Sequence, residues 1–157
     1  MGSNLGDPLA HLRQAFTHLH NLTATRVIGC SPLYQNPAIG PGEQPDYLNA
    51  VVALRTELVA IDLLAGLQAI ELQQGRHRGE RWAARTLDLD ILLYGDEVFD
   101  SPLLQIPHPR MLQRNFVLYP LYDIAPDLSL PDGSTLRGHL DSCPSDGLTQ
   151  TPLTLQE

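Results

Sequence analysis

Two aspartates one residue apart, Asp88 and Asp90, stand directly behind a run of arginines in GRHRGERWAARTLDLDILLYG, residues 75–95. If TLDLDILLYG is extended, Leu87, Leu89, Ile91 and Leu93 take one face and both carboxylates the other, roughly 6.5–7 Å apart along the backbone. Two carboxylates converging on one face repel each other unless something positive lies between them. A divalent cation does this, and Mg²⁺ is usually held by one or two carboxylates together with substrate phosphates. An isolated D-x-D pair is better explained as the solvated face of an edge strand, but three neighbours argue for chemistry. Arg76, Arg78, Arg81 and Arg85 precede the pair, and guanidinium forks match phosphate oxygens. Salt bridging explains any one arginine, less well four beside a metal-competent pair. RHRGER lies in a stretch marked by Gly75 and Gly79 and is expected to move, as an arm closing over a triphosphate must. Trp82, the only tryptophan, sits in this polar stretch, where it suits covering a planar ligand better than filling a core.

Three further polar residues are candidates. Glu71 falls on the apolar stripe of a helix, between Leu64 and Leu67, so its carboxylate needs a partner, either an arginine or a ligand hydroxyl. Asn49 lies inside an apolar strand, as a satisfied core amide or a reader of a heterocycle edge. His108, in IPHPR, is a turn residue or a contact to phosphate or ribose.

The remaining composition limits the alternatives. The chain has 157 residues and a formal net charge of −8, which fits one domain and argues against general nucleic-acid binding. All 10 basic residues are arginine, and six of them fall between positions 76 and 114. Without lysine there is no Walker-type phosphate loop and no Schiff base. No apolar run approaches the roughly 20 residues of a spanning helix, no signal peptide is expected, and Cys30 and Cys143 form neither a disulfide framework nor a metal-ligand spacing. A monomer in a reducing cytoplasm is the expectation.

The elements that must position these residues follow from periodicity and punctuation. A helix should begin at Asp7-Pro8, carry Leu9, Leu12, Phe16 and Leu19 inward, and stop at Asn21. A strand is expected over 26–30, then a Pro/Gly-rich loop over 36–46 of the kind that covers sites. YLNAVVALRTEL, 47–58, reads as one buried strand. A helix over 61–74 ends at Gly75, TLDLDILLYG reads as the best strand in the chain, and another helix starts at Asn115. Beyond Asp132 the sequence is polar and poorly patterned. The alternation indicates an α/β layered domain.

Together GSNLGDP, SPLYQNPAIGPGEQPDYLNAVV, IELQQGRHRGERWAARTLDLDILLYGDEV, IPHPRMLQRNFVLYPLYDIAPDL and PDG closely resemble the 6-hydroxymethyl-7,8-dihydropterin pyrophosphokinases of folate biosynthesis, over roughly positions 2 to 133. The resemblance implies an α+β, ferredoxin-like sandwich with a mainly antiparallel sheet, in a domain over 1–133 with a polar tail over 134–157. It implies transfer of pyrophosphate from ATP to the hydroxymethyl group of the pterin. Asp88 and Asp90 would hold two Mg²⁺ ions, and Arg76, Arg78 and Arg85 would meet phosphates. Gln68, Glu71, His108 and Arg114 match nucleotide-side positions. Asn49 would hydrogen-bond the pterin, Tyr47, Trp82 and Phe116 would flank it, and Asn36, Pro37 and Ile39 would line its pocket. Two departures stand out. Family members carry a hydrophobic strand before GSN, where only Met1 precedes Gly2 here, so a gap in the sheet is expected, with TPLTLQE as a candidate to fill it. The family's arginine loop also tends to be one residue longer, often with a lysine, where this chain has Gly79. Two other readings stay open: metal-dependent phosphate-ester hydrolysis, with water as acceptor, and a ligand-binding domain without turnover.

Overall fold

Asp7 opens the first helix as its sequence predicts, its carboxylate accepting from Ala10 N–H at 3.1 Å with Pro8 in the first turn. In the computed structural model, which describes residues 1–76 and 84–156, this helix (α1) spans Pro8–His20, ends at Asn21 and buries Leu12, Ala15, Phe16 and Leu19. Arg78, Arg81, Trp82 and Gly79 lie outside the described residues.

The class is α+β, and every strand pairing is antiparallel. Strands β1 (Gly2–Ser3), β2 (Thr25–Cys30), β3 (Tyr34–Asn36), β4 (Tyr47–Asn49) and β5 (Val52–Thr56) precede α2 (Ala60–Gln73). The short strands β6 (Phe99–Asp100) and β7 (Gln105–Ile106) pair with each other. Helices α3 (Asn115–Ile124) and α4 (Leu136–Asp141) and strand β8 (Thr149–Gln150) complete the chain. One sheet has the order β1-β4-β3-β8, and β2 pairs with β5 in another.

Two strand expectations need correction. The run over 47–58 is not one strand. It breaks at Ala50-Val51, where the backbone changes partners. Ala50 exchanges hydrogen bonds with Met1, while Val51 N–H donates to Ser31 Oγ and its carbonyl accepts from Ser31 N–H. Upstream of the break the chain serves β1 and β3, downstream it serves β2. TLDLDILLYG, expected as the best strand, is extended but forms only an isolated bridge, Gly2 with Asp88. A strand needs a neighbouring backbone, and β1 offers only two residues. The alternation itself holds: Leu87, Leu89 and Ile91 are buried.

The main core joins α1 and α2 to Leu33, Leu48, Leu87, Leu89 and Ile91, and a second core gathers Val51, Met111, Leu118, Leu121, Leu130, Leu136 and Cys143. Residues past 133 therefore pack. Thr135 caps α4, Leu136 is fully buried, and Leu155 joins the main core. Among the described residues, the tail does not pair with β1. β8 pairs with β3 at the opposite edge of that sheet, Thr151 continues onto Leu33, and Arg13 Nε donates to Thr154 O at 3.0 Å.

Buried Tyr34 ties β3 to α3 through a hydrogen bond from its hydroxyl to the Asp123 carboxylate. Burial, then this bond and the carboxylate's charge, hold the phenol far above its ordinary pKa of 10.0. The protonated tyrosine is thus the form the fold favours, and its contribution is full below pH 10.0 and falls as the pH rises further. Tyr34→Phe is expected to cost about 1.5–3 kcal/mol at neutral pH, since the lost donor served a charged acceptor, and to flatten the alkaline decline; urea denaturation at pH 7 and pH 10.5 would check both.

Candidate active site

The phase set by Leu87, Leu89 and Ile91 turns Asp88 and Asp90 into a cavity of about 1200 Å³. Its polar side is lined by both aspartates with Arg85, His108 and Arg114, and also by Asn36, Ile39, Tyr47, Asn49 and Phe116. It continues between β5 and residues 91–94 as an apolar arm that includes Leu54, Leu63, Leu67 and Leu93.

The two aspartates have different surroundings. Asp88 is gripped by Arg76 Nη1 at 2.9 Å and Arg85 Nη1 at 3.1 Å. Arg76 also pairs with buried Glu71, whose Oε2 accepts from Leu89 N–H at 3.0 Å. The partner that Glu71 required is therefore an arginine plus the peptide between the two aspartates. Asp90 faces the His108 ring, Nε2 to Oδ2 at 3.7 Å, and also feels the charges of the Met1 amino group and Arg114. Crowding by the protein and then the Asp88 charge push the Asp90 carboxyl above its ordinary range, although 43% of its side chain still meets solvent. The same crowding lowers His108 and Arg114, against the pull of Asp90. The charged forms of all three are strained in one place, which is the electrostatic signature of a site that gains by receiving ions.

Across the cavity, Asn49 Nδ2 donates to Asn36 Oδ1 at 2.6 Å, with both side chains buried. Tyr47 and Phe116 are half-buried nearby, the Tyr47 phenol raised chiefly by burial. Arg114 lies 5.6 Å from the Phe116 ring centre, a cation–π contact joining the two walls. Ile39 is exposed at the rim, and Pro37 is exposed beyond Asn36. Gln68 is exposed on α2 and is not among the residues lining the cavity.

Residue-by-residue reasoning missed the GSN stretch. A Cβ at Gly2 would collide with Asn49 Oδ1, so this glycine allows the amide to stand where it does. Ser3 Oγ donates to Thr86 O at 2.6 Å. Asn4, fully buried, donates to Gln44 and Pro45 in the proline-rich loop and accepts from Arg85 N–H at 2.8 Å. One short polar stretch thus fastens the covering loop, the aspartate segment and an arginine together. Its only signal was the quoted motif, since its partners lie 40 or more residues away.

The model of the family 7,8-dihydro-6-hydroxymethylpterin-pyrophosphokinase matches residues 1–126. The 2-amino-4-hydroxy-6-hydroxymethyldihydropteridine pyrophosphokinase of Pseudomonas aeruginosa is 50% identical over 152 residues, covering 97% of this chain and 94% of the relative. The enzyme of the same name from Haemophilus influenzae is 46% identical over 136 residues, 87% of this chain and 85% of the relative. The folic acid synthesis protein fol1 of Schizosaccharomyces pombe is 39% identical over 148 residues, 94% of this chain and 20% of that longer protein.

Proposed function

The chain belongs to the 7,8-dihydro-6-hydroxymethylpterin-pyrophosphokinase family, and from that premise we propose which of its residues carry the reaction. It is an ATP-dependent pyrophosphokinase of folate biosynthesis. In the transfer, the pterin hydroxymethyl oxygen attacks the β-phosphorus of ATP, the bond from that phosphorus to the α–β bridging oxygen breaks, and AMP leaves.

Asp88 and Asp90 fit Mg²⁺: two oxygen donors share one cavity, and among the described residues no group of three His, Cys, Asp or Glu forms a closed cage. A hard cation completing its shell with phosphate oxygens and water suits such a pair, and we assign it two ions. When bound, the metal supplies positive charge between carboxylates and triphosphate. Arg76 and Arg85 exchange part of their hold on Asp88 for phosphate oxygens, and Arg78 joins them from outside the described residues. His108 and Arg114 take the nucleotide side. Asn49 and Asn36 present amide donors and acceptors to the pterin edge, and Tyr47, Phe116 and Trp82 flank its ring, with Pro37 and Ile39 at the rim. Phosphoryl-type transfer needs positioning and charge stabilisation more than a covalent nucleophile, and no side chain here is given the role of general base.

The observation that carries this assignment is the shared lining: carboxylates, arginine and amide-aromatic wall face the same space. AMP formation from ATP is expected to require both 6-hydroxymethyl-7,8-dihydropterin and Mg²⁺, to stop on chelation and to return when Mg²⁺ is restored. AMP released regardless of pterin would overturn it in favour of hydrolysis. Among the described residues no helix is long and apolar enough to cross a membrane. The proposal includes action as a cytoplasmic monomer, which gel filtration and cell fractionation would check.

A further inference from the structure

We propose that residues 143–151 are a clasp that sets the width of the pterin side of the cavity, with Asn115 and Gly147 as its positioning residues. The argument rests on the reading of that side as the pterin's.

The wall in question has two halves from different elements. Asn36 ends β3, a strand of three residues, and Phe116 sits in the first turn of α3. The segment 143–151 contacts both halves, although none of its residues lines the cavity. At the helix end, Asn115 Nδ2 donates to Pro144 O and Asp146 O, both at 3.0 Å, and Tyr119 OH donates to Cys143 O at 3.0 Å. At the strand end, β8 pairs with β3 through Tyr34–Gln150 and Gln35–Thr149, and Thr151 N–H donates to Leu33 O at 2.8 Å. Between the two ends, Gly147 adopts φ +75° and comes so near Pro37 that a Cβ there would lie 3.4 Å from Pro37 Cδ.

The Tyr34–Asp123 bond already joins the two halves; the segment adds a second tie, and without it the strand half is weakly fixed. β3 would be an edge strand paired only with β4, and its far end enters the Pro/Gly-rich loop. Recognition of a flat heterocycle by paired amides and rings fails when the walls drift by about 0.5 Å. A strap hydrogen-bonded to both walls, and passing beside Pro37, reduces that freedom before ligand arrives. The ties described above for Asp88, Asp90, Arg76 and Arg85 run elsewhere, to Asn4, Glu71 and His108. Loosening the clasp should therefore weaken pterin binding selectively.

The test uses the full chain with Asn115→Ala, which removes both hydrogen bonds, Asn115→Asp, which keeps the shape but not the donor, and Gly147→Ala, which strains the strap where its φ is +75°. Titration with 6-hydroxymethyl-7,8-dihydropterin, followed by its fluorescence, is expected to show about tenfold weaker binding in each variant. The affinity for a non-hydrolysable ATP analogue with Mg²⁺ should stay within about twofold of the parent, and Asn115→Asp should rescue nothing. The double variant Asn115→Ala/Gly147→Ala should bind pterin little worse than either single one, because both open the same strap. Equal weakening of both ligands, or a parent-like pterin affinity in Asn115→Ala and Gly147→Ala, overturns the clasp. A parent chain that binds ATP but no pterin overturns the reading of that wall and the clasp with it.

Discussion

Asp90→Asn is expected to lower pterin-dependent AMP formation by at least ~10³-fold while leaving the protein folded and no less stable. The two halves of this expectation come from the same geometry. Asp90 shares a face with Asp88, which Arg76 and Arg85 grip, and its own carboxyl is pushed up by crowding and by the Asp88 charge. Its ionised form is therefore a cost to the fold, and an isosteric amide relieves it. His108 is 3.7 Å away and is itself lowered by burial, and its pull, with those of the Met1 amino group and Arg114, is outweighed by crowding and the Asp88 charge. Function at the expense of stability is what a site residue, as opposed to a structural one, should show. Single-turnover kinetics with saturating Mg²⁺, alongside a thermal melt, would measure both. A variant that retains a tenth of the parent rate, or melts well below it, would remove Asp90 from the metal-holding role.

How much of this was legible depends on whether the signal was local. α1 was readable because Asp7-Pro8 and Asn21 punctuate a clean apolar stripe. α3 was readable from its onset at Asn115, and the outward phase of Asp88 and Asp90 from alternation alone. What failed depended on partners. Whether residues 86–95 form a ladder is decided by how much of β1 lies beside them, and the break at Ala50-Val51 by a change from Met1 to Ser31 as hydrogen-bond partner. The packing beyond 133 rests on Leu136, Cys143 and Leu155, too sparse to show any period. The site followed the same division. The aspartates and Arg85 announced themselves by spacing, whereas Asn4 is a single polar residue whose importance lies in contacts to Gln44, Pro45 and Arg85. Glu71 was legible as a carboxylate in need of a partner, but not as to which partner.

That last ambiguity gives the second large effect. Glu71→Ala is expected to destabilise the protein by about 3 kcal/mol and to lower activity even at temperatures where the variant is fully folded. The stability loss has two sources. Leu89 N–H, buried beneath Glu71, loses its acceptor, which costs roughly 1–3 kcal/mol, and the pair with Arg76 disappears. Arg76 is not stranded, since its side chain is 22% exposed and keeps Asp88, so the penalty stays at the low end for a broken buried pair. Against a typical total of about 5–15 kcal/mol this is a large fraction. The loss of activity has a separate cause. Leu89 is the residue between the two aspartates, so Glu71 sets how deeply both carboxylates sit, and through Arg76 it also steers Asp88. Glu71→Gln retains an acceptor for Leu89 but no charge for Arg76, and should recover part of the stability. Urea denaturation, AMP formation at low temperature and titration with a non-hydrolysable ATP analogue separate the possibilities. If nucleotide affinity collapsed while stability stayed within about 0.5 kcal/mol of the parent, Glu71 would be a direct nucleotide contact and not the anchor of the aspartate segment.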